Sequence, residues 1–270
     1  MSLTKWIAVT AVIALVLMSS GCSSSSSPKT PMFNKPGSPE AIKKLITPAA
    51  AAAREDGIAA AILLDTSGSM QDPVQGSDKK PKAKIKVAQD ALFNVLQQFI
   101  DFGKKHPDKK LLVGIYDFSA RKGQPSCRQV VKLGPPDLAA AQDSIQSMVP
   151  SGATPIGDAM IAAKRDLQAT GLLHQHIMVI TDGENNLGYL PEDVAKAIGN
   201  ESEPDRAGIY FIAFDIGAGI FDAVRDAGGL VMSATSEQQL TETLDFILTG
   251  KILVEQPPPP PSHPVTIIKK

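Results

Sequence analysis

The sequence predicts an α/β domain of the doubly wound type, with a mainly parallel sheet and helices on both faces. Three observations point there. Ala59 to Leu64 and His176 to Thr181 are continuous apolar runs of strand length, the pattern of strands buried on both sides. Between such runs lie longer segments whose apolar residues recur at helical spacing. The two kinds alternate along the chain, and strands separated by helices pair in parallel through crossovers.

The N-terminus comes first and is not part of that domain. Lys5 precedes the apolar stretch Trp6 to Met18, and the small residues Ser19, Ser20 and Gly21 follow it. The stretch is too short to span a bilayer but fits the core of a signal peptide, assigned to 1–21. Cys22 comes next, followed by Ser23 to Ser27. This junction resembles the lipobox of bacterial lipoproteins, whose cysteine is acylated and becomes the mature N-terminus. Ser19 departs from the pattern, which usually has Leu three residues before the cysteine. A plain secretory signal that leaves Cys22 a free thiol is the alternative. Residues 22–38, rich in Ser and Pro, read as a lipidated N-terminus and flexible tether, which reaches ~50 Å when extended. Residues 39–56 are Ala- and Lys-rich, a helical lead-in broken or kinked at Pro48.

The domain is placed at 57–252. Ala59 to Leu64 is its first strand, and Ala83 to Lys105 follows as a helix carrying Ile85, Ala88, Leu92, Val95, Leu96, Phe99 and Phe102 on one face. Leu111 to Phe118 and Arg128 to Leu133 read as strands, Pro136 to Met148 and Pro155 to Leu167 as helices, and His176 to Thr181 as a buried strand. The helix Pro191 to Asn200, the strand Gly208 to Asp215, the short helix Ile220 to Asp226, the strand Leu230 to Ser233 and the helix Glu237 to Leu248 complete it. Residues 253–270 form a tail in which Pro257 to Pro261 favours polyproline II.

Composition narrows the function classes. The 270 residues are 43% hydrophobic and 20% charged, as in an ordinary globular protein, and the net charge of -1 gives no global attraction to nucleic acid or membrane. With Cys22 and Cys127 alone, no disulfide framework holds the fold, and Cys127 reads as a small apolar residue of a buried strand.

In open parallel sheets, ligands bind beyond the carboxyl ends of the strands. The polar residues gather there. Asp65, Ser67 and Ser69 leave the first strand at alternate positions, with Gly68 permitting a tight path. Thr154 precedes Pro155 at a helix start, and Asp182 follows the strand ending at Thr181. Two carboxylates and three hydroxyls form an all-oxygen donor set, suited to Mg²⁺, Mn²⁺ or Ca²⁺ and not to zinc. Each residue also has an ordinary explanation: a strand-end turn for Asp65, a helix N-cap for Thr154, and an Asp-Gly turn for Asp182.

Together, Asp65-x-Ser67-x-Ser69, Thr154 within Thr-Pro-Ile-Gly-Asp-Ala, and Asp182 within Ile-Thr-Asp-Gly-Glu resemble the complete metal-ion-dependent adhesion site of von Willebrand factor type A (vWA) domains. That resemblance covers Gly57 to Gly250 and implies a Rossmann-like fold. It also implies a divalent cation, Mg²⁺ first, held by Asp65, Ser67, Ser69, Thr154 and Asp182, with one position open to a carboxylate of a protein partner. In the family Ser67 and Ser69 stay on the metal, while Thr154 and Asp182 exchange direct for water-mediated contact.

Other signals are weaker. Asp222 stands where a dinucleotide fingerprint after Gly217-Ala218-Gly219 needs a glycine, so no nucleotide is expected as a partner, and the net charge of -1 gives no reason to expect nucleic acid. His174 and His176 share a strand face without a third ligand and read as a solvent-edge pair. Lys79, Lys80, Lys82, Lys84 and Lys86 read as a solvated loop and helix start, or as a patch favouring an acidic partner. The expectation is a lipid-anchored envelope protein that binds a partner and is not an enzyme, with the outer membrane or cell surface favoured. A structural role with a purely structural metal, or a metal-assisted hydrolase, are the alternatives.

Overall fold

The computed structural model describes residues 33–254. The signal peptide, Cys22, most of the tether and the tail from 255 onward lie outside the described residues. Strand β1 (Phe33–Lys35) and helix α1 (Pro39–Ile46) lead into β2 (Glu55–Asp65). A hairpin of β3 (Pro73–Gln75) and β4 (Pro81–Ala83) then opens α2 (Lys84–Lys105). Next come β5 (Lys110–Phe118), β6 (Cys127–Gly134), α3 (Leu138–Gln146), α4 (Ile156–Ala169) and β7 (Leu172–Thr181). The chain continues through β8 (Leu187–Tyr189), α5 (Pro191–Gly199), β9 (Ala207–Phe214), α6 (Asp222–Asp226), β10 (Leu230–Ala234) and α7 (Glu237–Ile247).

Six strands form the central sheet in the order β10-β9-β7-β2-β5-β6. All neighbours are parallel except β6, which runs antiparallel to β5. Only residues 119–126 join β5 to β6, too few for a crossover that restores direction. The doubly wound, mainly parallel architecture is therefore present.

Side chains of β2 alternate between two cores, as a strand's period of two requires. Ile58, Ala60, Ile62 and Leu64 face Leu92, Phe99, Leu240 and Leu244 of the α2 and α7 layer. Ala59, Ala61 and Leu63 face Ile156, Met160, Ala163 and Ile198 of the α4 and α5 layer. The alanines let α4 approach the sheet closely. Among the described residues, no helix is long and apolar enough to cross a membrane.

The lead-in belongs to the domain. Ser38 caps α1, the helix ends before Pro48, and Ile42 and Ile46 are wholly buried in the second core. Burying two such side chains contributes about 1.5–3 kcal/mol each. Part of the expected tether is also ordered: Phe33 to Lys35 pair in parallel with Leu187 to Tyr189.

The strand order places a functional crevice. From β2 the chain winds outward to β5, whereas from β7 it winds the other way to β9. Their carboxyl ends flank the point where the winding reverses, the usual location for ligands in such sheets.

Candidate functional site

Asp65 is the last residue of β2 and Asp182 immediately follows β7, so the reversal of winding puts both carboxylates at one crevice. Asp65 is fully buried and doubly held. Its Oδ1 accepts from the Ser67 backbone N–H at 2.7 Å, and its Oδ2 accepts from the Thr181 hydroxyl at 2.6 Å. Burial pushes its pKa up to about 7, against those hydrogen bonds, and Asp182 adds to the rise.

The Asp65-to-Ser69 segment turns back on itself after β2. Ser67 Oγ lies 3.2 Å from Ser69 Oγ, and Ser69 donates to Asp182 Oδ1 at 2.7 Å. The turn is anchored from the adjacent loop, where Gly68 donates to the Gly152 carbonyl at 3.1 Å and Ser151 to the Thr66 carbonyl at 2.7 Å. Gly152 adopts φ +87°, and a Cβ there would meet the Ala120 carbonyl oxygen at 2.0 Å, so only glycine fits.

Thr154 lies in that same loop, buried, with its hydroxyl facing the Asp182–Gly183 turn: a Cβ at Gly183 would touch it at 3.5 Å. It does not cap the helix, as the Thr-Pro pair suggests. Helix α4 starts one residue later, at Ile156, and its first N–H groups donate instead to Asn185 Oδ1, at 2.8 Å from Ile156 and 3.4 Å from Gly157. Asn186 accepts from the Thr154 N–H at 2.8 Å. With the capping supplied from another loop, the Thr154 hydroxyl is spared that task. All five predicted residues thus border one crevice.

The lysine cluster is only partly solvated. Lys84 is buried, contrary to the expectation of a solvated helix start: its ammonium lies 3.1 Å from Asp182 Oδ2 and 3.0 Å from Asp215 Oδ2. Burial disfavours its charge, but Asp215 and Asp182 outweigh that and hold its pKa above the usual lysine range. Lys82 pairs with Glu237 at 2.8 Å, and Lys79 and Lys80 are exposed. Lys84, Asn185, Thr181 and Asp215 were not singled out as site residues from sequence. Three of them could have been, because Thr181 and Asn185 neighbour Asp182 and Asp215 ends a strand at the same rim.

His174 and His176 sit at the opposite, amino end of β7 and take no part. His174 Nε2 lies 3.2 Å from Asp56, and His176 is buried, with Nδ1 3.2 Å from the Tyr210 hydroxyl, so the pair is not wholly at a solvent edge. Cys127 opens β6, where burial pushes its thiol up to about 12, an inert state.

The donor set can be tested against a divalent ion. Metal–oxygen distances of ~2.0–2.1 Å in an octahedron give neighbouring ligand oxygens a separation of about 2.9 Å. The Ser67–Ser69 and Ser69–Asp182 oxygen separations of 3.2 and 2.7 Å are those of O–H···O hydrogen bonds and lie on either side of that value, so the oxygens are close enough together to share an ion. Among the described residues no three His, Cys, Asp or Glu side chains gather to hold a metal. An ion here would draw on hydroxyls for its remaining donors, which suits Mg²⁺ and not zinc.

Comparison with known proteins agrees with the fold. Residues 60–184 match the family model of the von Willebrand factor type A domain. No curated protein matches the chain in sequence. Similar solved structures include a mutant of the PilB minor pilin from Streptococcus sanguinis, with TM-score 0.53, 14% identity, and 72% of this chain and 61% of that one covered. BatB from Bacteroides thetaiotaomicron gives TM-score 0.51 at 18% identity, with coverage of 70% and 100%. The pilus adhesin SpaC from Lactobacillus rhamnosus GG, in its open conformation, gives 0.54 at 15%, with coverage of 75% and 31%. The chain thus spans less than two thirds of the pilin and about a third of SpaC. At these identities what is shared is the fold.

Proposed function

We propose that this chain, which carries a vWA domain, is a lipid-anchored protein of the bacterial cell envelope that binds a protein partner through a divalent cation. The observation that supports this reading is the convergence of the Ser67, Ser69 and Asp182 oxygens, in hydrogen-bond contact at the reversal of winding, with Asp65 behind them. Pilus proteins among the structural neighbours favour a surface location, and Cys22 followed by a serine run favours a lipid anchor.

Asp65, Ser67, Ser69, Thr154 and Asp182 would hold the ion, Mg²⁺ first and Mn²⁺ or Ca²⁺ otherwise. When bound, it supplies a Lewis-acidic position for a carboxylate from outside. The chain's residues do the rest. Thr181 and the Ser67 N–H orient Asp65, the Ser151–Thr154 loop braces the serine turn, and Asn186 positions Thr154. The partner's Asp or Glu would complete the shell as a charge-assisted contact in a partly desolvated place. Asp158, in the first turn of α4, accepts from the Tyr189 N–H at 3.0 Å and ties that helix to β8.

The test is capture of envelope proteins on immobilised domain. Wild type with Mg²⁺ should retain a partner that EDTA releases and that Thr154→Ala retains poorly, though Thr154→Ala still binds Mg²⁺. Capture indifferent to both changes overturns the metal-mediated reading. Detergent-phase partitioning of wild type, lost in Cys22→Ser, tests the anchor; wild-type protein wholly in the aqueous phase rules it out.

A further inference from the structure

Lys84 occupies the first position of a 22-residue helix. That place disfavours a cation, because unsatisfied N–H groups give a helix N-terminus partial positive charge. The first turn of α2 carries no acidic residue to offset it. The Lys84 side chain is only 7% exposed, so its ammonium is largely withdrawn from water. Both departures are accounted for by the carboxylates it meets. Asp182, whose side chain is fully buried, offers Oδ2 at 3.1 Å, and Asp215 offers Oδ2 at 3.0 Å. Asp215 reaches it from a left-handed backbone (φ +58°), held by its N–H to the Ala234 carbonyl at 2.7 Å. The other Asp182 oxygen takes the Ser69 hydroxyl, so the two faces of that carboxylate are divided between Lys84 and the serine turn.

We propose that Lys84 is a built-in counter-cation of the metal site: it keeps Asp182 in place when no metal is bound, weakens the hold on a divalent ion, and keeps the loaded site open to an anionic ligand. This deepens the metal-mediated reading and rests on it. Asp65 and Asp182 alone would neutralise a divalent ion. With the Lys84 ammonium beside both Asp182 and Asp215, the ion, three carboxylates and lysine sum to zero, whereas without the lysine they carry one net negative charge. A neutral, partly desolvated site accepts a carboxylate that a net negative one repels.

The experiment is calorimetric titration of the folded protein with Mg²⁺ at low ionic strength. It compares wild type with Lys84→Met, which keeps length and helix propensity, and with Lys84→Gln, which keeps a donor for Asp182. Removing a like charge a few ångströms from the ion should tighten the Mg²⁺ Kd about tenfold or more in both variants. Acetate, titrated into Mg²⁺-saturated protein, should bind more weakly to both. Metal-free Lys84→Met should melt below metal-free wild type, and Mg²⁺ should restore part of the difference. If wild type binds Mg²⁺ and the variants bind it equally or less tightly, the counter-cation role is overturned while the metal site stands. If neither wild type nor either variant binds Mg²⁺, the metal reading itself fails and this inference with it. Lys84→Gln covers the case in which Lys84→Met does not fold.

Discussion

Asn185 joins the entry strand to the crevice: its Nδ2 donates to Asn34 Oδ1 at 2.9 Å, while its Oδ1 accepts from the first N–H groups of α4. One side chain therefore links β1, the Asp182 loop and the helix that follows Thr154. Asn185→Ala should cost about 1–2 kcal/mol in urea unfolding, since a capping acceptor is lost and buried N–H groups are left without it. Asn34→Ala should cost less, because the helix start keeps its acceptor. Equal losses would show that the link to β1, and not the helix cap, carries the effect.

A pH response is expected from the far end of β7. Burial, with His174 adding to it, pushes the His176 pKa down to about 4 from 6.5. Between those values the unfolded chain takes up a proton that the folded protein refuses. Stability from this group is thus complete above pH 6.5 and falls as pH drops through the window, approaching about 1.4 kcal/mol per pH unit. Urea midpoints between pH 7.5 and 5 should decline less steeply in His176→Gln. Identical slopes would assign the acid sensitivity to other groups.

Among the described residues, Lys164 is the other buried ammonium. It lies 2.9 Å from Glu201 Oε2 and donates to Gln175 at 3.1 Å and to the Asp205 carbonyl at 2.7 Å, tying α4 to the segment before β9. Burial lowers its pKa, with Glu201 opposing. Lys164→Met should destabilise by about 3–5 kcal/mol, because Glu201 would remain as an unpaired buried charge. Lys164→Met/Glu201→Gln should recover much of that loss. A double variant as unstable as the single would mean the cost comes from packing around Lys164.

Much of this was legible in the sequence because the signals are local. Asp65, Ser67 and Ser69 lie within five residues, and the continuous run Ala59 to Leu64 marks a strand buried on both faces. What was not legible depends on distant partners. Strands β1, β3, β4 and β8 have three residues each, too few for periodicity to show, and each exists because another segment pairs with it. Thr154 before Pro155 carries a helix-cap signal, but Asn185, about thirty positions later, takes that role. Lys84 is one lysine among five in a polar stretch, and its burial is decided by Asp182 and by Asp215, whose left-handed backbone composition does not reveal.

Metal binding as proposed should be visible in thermal stability. An ion that binds only the folded state stabilises by RT ln(1 + [L]/Kd), about 2.7 kcal/mol at a hundredfold excess over Kd. Wild type should therefore melt higher with excess Mg²⁺ than with EDTA. Asp65→Asn is the informative variant. Its amide can still accept from the Ser67 N–H and face the Thr181 hydroxyl, so the local hydrogen bonds have a substitute while the charge is gone. The Asp65 carboxylate is fully buried, and Lys84 pairs with Asp182 and Asp215 and not with it. Removing an uncompensated buried charge relieves its desolvation cost. Metal-free Asp65→Asn should thus melt as high as metal-free wild type or higher, yet gain little from Mg²⁺. Ser69→Ala should also lose most of the Mg²⁺ increment, without the metal-free gain, because it removes a hydroxyl that holds Asp182. Equal Mg²⁺ responses in wild type, Asp65→Asn and Ser69→Ala would place any bound ion away from this crevice.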